Sequence, residues 1–182
     1  MSENLNLNWQ SEDSYLMLNK RLPKQEEIEL TQLYQKYQQK SHIWLTSSGS
    51  TTEKNHSIKL IALSKNAILQ AAESVNQFLN VNKHDRWLNV LPLFHIGGIA
   101  IQARSFLSGS SLYDISDKKW NAKDFIEQIK EHKSTLTSLV PTQIYDLVQS
   151  KSKCPDSIRY VLVGGGVLSE NLYNEARKLD WP

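Results

Sequence analysis

At 182 residues, 40% apolar and 22% charged, the chain has the make-up of one ordinary globular domain with enough apolar side chains for a real core, which excludes a disordered polymer. Its 21 basic and 19 acidic residues leave a formal charge of +2 with no basic block, so no nucleic-acid partner is indicated. The single cysteine, Cys154, has no CxxC neighbour, which fits a reducing compartment and excludes a cysteine-rich zinc site. Residues 1–8 carry no signal-peptide pattern, and no run approaches the roughly 20 apolar residues of a membrane span; a cytoplasmic protein without a membrane partner is expected.

In chain order, residues about 25 to 40 read as a helix, with Leu30, Leu33, Tyr34 and Tyr37 at helical spacing, Glu26, Glu27 and Glu29 near its start and Lys36 and Lys40 near its end. Residues 1–41 therefore form an N-terminal extension with a packing helix, and 42–182 a second unit. That unit opens with a strand over 42–46 and the hydroxyl-rich stretch Thr46-Ser47-Ser48-Gly49-Ser50-Thr51-Thr52. Glycine lets a backbone approach an anion, and amides and hydroxyls supply donors, so the stretch reads as a phosphate holder or as an ordinary turn.

A strand over 59–63 follows, then Ser64 as N-cap of a helix presenting Ile68, Ala71, Ala72, Val75, Phe78 and Leu79 on one face. The alternation continues with a strand over 87–91, a helix about 97–108, a strand over 111–115, and a helix opened by Asn121 that carries Phe125, Ile126 and Ile129. A strand over 135–140 leads to Pro141 at the first position of a helix with Ile144, Leu147 and Val148. The last strand spans 158–163, and a helix over 169–179 closes the chain.

Such alternation predicts an α/β fold, a mostly parallel sheet flanked by helices. Ligands gather outside the carboxyl ends of such strands. Three unusual loops follow strands: the hydroxyl loop, Pro92-Leu93-Phe94-His95-Ile96-Gly97-Gly98, and Gly164-Gly165-Gly166. At one edge of one sheet they would share a site.

The motifs carry a family resemblance. Ser47-Ser48-Gly49-Ser50-Thr51 resembles the T-S-G-S-T core of the phosphate loop of adenylate-forming enzymes, the acyl-CoA synthetases and their relatives. Pro92-Leu93-Phe94-His95 resembles their P-L-F-H motif, Leu139-Val140-Pro141-Thr142-Gln143 their L-V-P-T-Q segment, and Gly164 to Gly166 their G-G-A or G-G-G loop. The order is right, and the resemblance runs from about residue 42 to the end. Within the family, the compact spacing is most similar to the o-succinylbenzoate-CoA ligase branch.

The resemblance implies two steps. A carboxylate attacks the α-phosphate of ATP to give an acyl-adenylate and pyrophosphate, and coenzyme A then displaces AMP. It implies Mg²⁺ with the ATP, an aryl carboxylate as small-molecule partner, and an incomplete front part of the family's large domain over 42–182. Ser47, Ser48, Gly49, Ser50 and Thr51 would wrap the phosphates, Gly164, Gly165 and Gly166 would lie beside the adenine and acyl group, and His95 would border the acyl pocket. Lys59 and His95 are the catalytic candidates, and no residue is assigned as a metal ligand.

Departures accompany the matches. Where the family loop continues G-x-P-K, this chain reads Thr52-Glu53-Lys54-Asn55-His56-Ser57-Ile58-Lys59, so the loop lysine is Lys59 or Lys54. Arg104, in the helical stretch after His95, reads either as a two-point partner for a second substrate carboxylate or as a helix-surface arginine. After Asp180-Trp181-Pro182 the family continues into a Tyr-Gly-x-Thr-Glu motif and a small lid domain, which this sequence lacks. The expectation is the front part of a ligase that does not turn over alone, with self-association through an unfinished sheet edge; the alternative is a non-catalytic nucleotide- or acyl-binding or interaction module.

Overall fold

The computed structural model describes residues 7–47 and 59–182, without the side chain of Ser47. Thirteen elements follow one another: β1 (Tyr15–Met17), α1 (Lys24–Tyr37), β2 (His42–Ser47), β3 (Lys59–Ser64), α2 (Lys65–Leu79), β4 (Arg86–Asn89), α3 (Ile96–Ser108), β5 (Ser111–Asp114), α4 (Ala122–His132), β6 (Leu136–Leu139), α5 (Pro141–Gln149), β7 (Tyr160–Val163) and α6 (Glu170–Arg177). Every strand and helix expected from the sequence is present, with small differences at the ends. α1 stops at Tyr37 rather than near 40, because Gln38 turns left-handed at φ 40° and closes the helix onto the Tyr34 carbonyl.

The strands divide between two sheets, which the alternation of elements did not reveal. One is parallel throughout, in the order β5-β4-β6-β7. The other has the order β1-β2-β3, with β1 parallel to β2 but β2 and β3 an antiparallel hairpin that pairs His42 with Ser64 and Ser47 with Lys59. The hydroxyl loop thus connects a hairpin in one sheet, while the 92–98 and 164–166 loops follow strands of the other. The strands flanking the hydroxyl stretch and those before the other two loops therefore belong to different sheets, and residues 48–58 lie outside the described residues.

α2 and α3 lie between the sheets. Ile68 and Ala72 of α2 and Ile99 and Ala103 of α3 share a core with Ile43 and Leu45 of β2, whereas Ile101 packs with Trp87 and Leu136 of the parallel sheet. Ile99, Ile101 and Ala103 are each 0% exposed, so the middle of α3 is buried on opposite faces. A helix apolar all round belongs between two layers. α4, α5 and α6 cover the far face of the parallel sheet, where Phe125, Ile129, Ile144, Leu147 and Ala176 meet Leu88 and Leu139.

On the outer face of the smaller sheet, Tyr34 of α1 stands edge-on to Trp44, ring centroids 5.8 Å apart, and donates its hydroxyl to the Ser14 carbonyl. The N-terminal segment does more than extend the chain: Leu7, Trp9 and Met17 are buried in the core shared with Ile43. Lys65, at the start of α2, pins this segment by donating to the carbonyls of Asn8 and Ser11 at 2.7 and 3.0 Å. β1 has only three residues, too short for a period-two pattern to register in the sequence.

A cluster at the amino ends of the parallel strands ties three of them together. The Asp85 carboxylate accepts from Arg159 Nε at 3.1 Å, from the Thr135 hydroxyl at 2.7 Å and from the Asn82 N–H at 3.0 Å. The functional loops lie at the opposite ends of the same strands.

Candidate functional site

The site grows from the end of β4. Asn89, fully buried, clamps the chain as it leaves the sheet: its Oδ1 accepts from Leu91 N–H at 3.0 Å and its Nδ2 donates to the Leu91 carbonyl at 3.1 Å. A polar residue inside the apolar run 87–91 was the signal for it, and the sequence reading passed over it. The chain then turns sharply into α3. A Cβ built on Gly98 would stand 2.5 Å from the Leu91 carbonyl oxygen and 2.6 Å from that of Pro92, so the close approach of helix to strand requires glycine.

Leu93 and Phe94 point into the core between the sheets, beside Ile43 and Leu45. That anchoring leaves His95 at the N-cap of α3, open to solvent, its ring 4.5 Å from the Phe94 ring and tilted by 55°. Partial burial of the imidazole lowers its pKa from the ordinary 6.5, so His95 is neutral at pH 7. A neutral imidazole can donate one hydrogen bond and accept another.

From the neighbouring β6, the chain enters α5 through Val140 and Pro141. Gln143 turns its Oε1 back to accept the Val140 N–H at 2.9 Å, fixing this corner. The glycine loop after β7 lies against it: Gly164 N–H donates to the Leu139 carbonyl at 3.1 Å. The three glycines differ in what they need. Gly165 has φ +75° and a Cβ there would sit 3.3 Å from Val140, whereas a Cβ on Gly164 would meet nothing within 4 Å. Neither conformation nor crowding among the described residues accounts for glycine at 164. Bare backbone facing open space is what a flat ligand needs.

Arg104 is not a surface arginine. It lies on α3, its guanidinium carbon 5.7 Å from the centre of the Trp87 ring and its Nη1 at 3.5 Å from the hydroxyl of Ser138 on β6. Burial lowers its pKa through desolvation, and among the described residues it has no carboxylate partner. Its Nε is buried without any hydrogen-bond partner. A half-buried cation with a buried donor left unpartnered is costly.

The structure places His95 and Gly164 to Gly166 after the carboxyl ends of β4 and β7, and Arg104 in the later half of α3, beside Trp87 of β4 and Ser138 of β6. Lys59 is exposed at the start of β3, opposite Ser47 in the hairpin register. Ser48, Gly49, Ser50, Thr51 and the competing Lys54 lie outside the described residues. No helix among the described residues is long and apolar enough to cross a membrane.

Comparison with known proteins bears on the family and the fold. The family model described as AMP-binding enzyme matches residues 17–180. The 2-succinylbenzoate–CoA ligase of Bacillus subtilis is 34% identical over 104 residues, covering 57% of this chain and 21% of that protein. Among solved structures, O-succinylbenzoate Coenzyme A Synthetase from Bacillus subtilis in complex with AMP is 31% identical with a TM-score of 0.67, over 77% of this chain and 28% of that one. The same enzyme in complex with the acyl-adenylate intermediate OSB-AMP gives 31% and 0.68 over the same shares. The match thus spans only 21% to 28% of the length of these relatives. With its fold, its motifs in order and a family match over almost its whole length, the chain belongs to the AMP-binding enzyme family.

Proposed function

We propose that this chain supplies the front part of an acid–CoA ligase site, one that activates o-succinylbenzoate or a closely related aryl dicarboxylate with ATP and passes the acyl group to coenzyme A. The observation that carries the reading is Arg104, half-buried beside Trp87 with an unpartnered Nε and no carboxylate of its own among the described residues. A substrate with one carboxylate to react leaves a second one to bind, and a guanidinium fork suits it.

In this reading Gly164 to Gly166 offer backbone to the nucleotide and acyl group, with Gly164 the open position. His95, neutral at the N-cap of α3, borders the acyl group and can hydrogen-bond it. Ser47 to Thr51 donate to the phosphates. Lys59 stands at the far end of the same hairpin connection, where its charge adds to the electrostatic stabilisation of a transferred phosphoryl group. The candidate site residues include no carboxylate, so they provide no ligand for Mg²⁺, and no step is assigned through the metal. Positioning and charge stabilisation in such a reaction are spread over the whole site, so the described residues account for binding and orientation rather than for turnover.

Calorimetric titration of the chain with AMP, o-succinylbenzoate and a non-hydrolysable o-succinylbenzoyl-AMP analogue tests the proposal. The expected result is saturable binding of the analogue, with Arg104→Ala weakening o-succinylbenzoate far more than AMP. Equal loss for both ligands would remove Arg104 from the acyl pocket. Absence of binding altogether would favour an interaction module that keeps the fold without the site.

A further inference from the structure

We propose that the outer edge of β7 pairs with β7 of a second copy of this chain, antiparallel and about a twofold axis at Leu162, so that two parallel sheets join into one. The inference stands apart from the acid–CoA ligase reading.

The parallel sheet ends at β7 among the described residues, in the order β5-β4-β6-β7. Tyr160 and Gly164 donate their N–H groups inward, to the carbonyls of Thr135 at 3.4 Å and Leu139 at 3.1 Å. Alternation along the strand therefore turns the N–H and C=O groups of Val161 and Val163 outward, where the described residues offer them no partner.

The other sheet edges carry a safeguard that β7 lacks. β1 has only three residues, β3 opens on Lys59 and β5 closes on Asp114, whereas β7 reads Tyr160-Val161-Leu162-Val163, without a charge or a proline. Short or charged edges resist the addition of a strand, and an uncharged β-branched one invites it. Tyr160 and Val163 leave 42% and 37% of their surface exposed there.

A second copy fits this edge because the strand is complementary to itself. In the twofold register Val161 faces the partner's Val163, the two copies exchanging about four hydrogen bonds in all, and Leu162 faces the partner's Leu162. The ring of Tyr160 comes opposite the partner's Gly164, a position whose Cβ would meet no atom within 4 Å, so bulk meets open space. Charge is compatible as well: Arg159 falls opposite the partner's Gly165 and is held by Asp85 at 3.1 Å, so no like charges stand face to face. Pairing uses up the edge on both copies, and association through it closes at a dimer. One four-residue strand per copy buries far less than the roughly 1,200–2,000 Å² of a stable interface, which makes the dimer weak, with a dissociation constant on the order of tens of micromolar.

Sedimentation equilibrium from about 1 µM to about 500 µM is expected to show a monomer–dimer equilibrium. Over that range the Val161 and Val163 amides should gain about tenfold or more protection from hydrogen exchange, while those of Tyr160 and Leu162, directed at β6, stay constant. Val163→Pro removes one outward N–H and none directed at β6, and is expected to weaken the dimer about tenfold or more; retained protection of Leu162 reports that β7 still forms. Val163→Lys keeps the backbone donors and should weaken the dimer about threefold or more, by bringing two like charges near the axis. If the proline unfolds the strand, Val163→Lys alone decides. Val167→Ser, in the loop beyond β7 at a position 92% exposed, should dimerise like the wild type, which separates strand pairing from apolar stickiness. A monomer across the whole range overturns the proposal, as does dimerisation of the folded Val163 variants at wild-type strength. Protection of Val161 and Val163 in a chain that stays monomeric overturns it too, and assigns the edge to a segment outside the described residues.

Discussion

Gly98→Ala is the substitution for which helix propensity and tertiary structure give opposite answers. In an isolated helix, alanine in place of glycine stabilises by about 1 kcal/mol. At Gly98 the new Cβ would lie 2.5 Å from the Leu91 oxygen, 2.6 Å from the Pro92 oxygen and 2.9 Å from the Pro92 carbonyl carbon. All three are backbone atoms of a turn held by Asn89, so relief requires moving the start of α3 away from β4 by several tenths of an ångström. Overpacking of this kind costs about 1–3 kcal/mol, and immovable neighbours put it at the upper end. After subtracting the propensity gain, a net loss of about 2 kcal/mol remains, a fall in Tm of roughly 4–8 °C for a domain of this size. Gly97→Ala is the control: its nearest obstacle, at 2.9 Å, is the tip of the Leu91 side chain, which can swing aside. Urea and thermal unfolding of the two variants side by side decide the matter. If Gly98→Ala equals or exceeds the wild type in stability, the close approach of α3 to β4 is not the constraint described here. The same variant should disturb His95, because the Gly98 N–H donates to the His95 carbonyl at 3.2 Å.

The glycine loop should separate fold from ligand: Gly164→Ala, with open space around its Cβ, is expected to change stability by less than about 0.5 kcal/mol yet weaken binding of the acyl-adenylate analogue, whereas Gly165→Ala at φ +75° should cost about 1–2 kcal/mol by chemical denaturation. Asp85→Ala strands the Thr135 hydroxyl and the Arg159 guanidinium; because Arg159 is 40% exposed and partly served by water, the loss in urea denaturation should be about 2–3 kcal/mol, below that of a fully buried pair. The His95 pKa is lower folded than unfolded, so the unfolded chain binds the extra proton. Its contribution to stability is complete above about pH 6.5 and is lost as pH falls through the lower folded value, a midpoint that NMR titration of the ring should place below 6.5. Cys154 is pushed up to about 12 by burial, then by Asp180 and Asp156, so its thiol should react with a disulfide reagent at pH 8 far more slowly in the native chain than after denaturation.

Much of the architecture was legible because the strong local signals agree with the tertiary fold. Ser64 and Asn121 cap their helices as their types suggest, Ser64 accepting from Ala67 N–H and Asn121 from the N–H groups of Lys123 and Asp124. Pro141 stands at the first position of α5. Partition into two sheets was not legible, because a strand's own residues do not say which strand will hydrogen-bond to it. Residues 42–46 and 59–63 look like any pair of half-buried strands, and only their pairing makes them an antiparallel hairpin. The apolar character of α3 on opposite faces, Ile99 and Ala103 against Ile101, was the available hint that two layers enclose it.

For the site, the motifs determined which residues deserve notice, and the tertiary structure determined what each can do. P-L-F-H and the three glycines are contiguous in sequence, so they could be read directly, and the order of the motifs carried the family assignment. The sequence left Arg104 open between a carboxylate partner and a surface charge. Only the packing of α3 onto the parallel sheet sets its surroundings, by placing the guanidinium beside Trp87 and Ser138, residues 17 and 34 positions away along the chain, with its Nε unpartnered. Burial and partnership arise from contacts between distant segments. Residue type and spacing therefore fixed the elements and the family, whereas the state of this charge had to come from the fold.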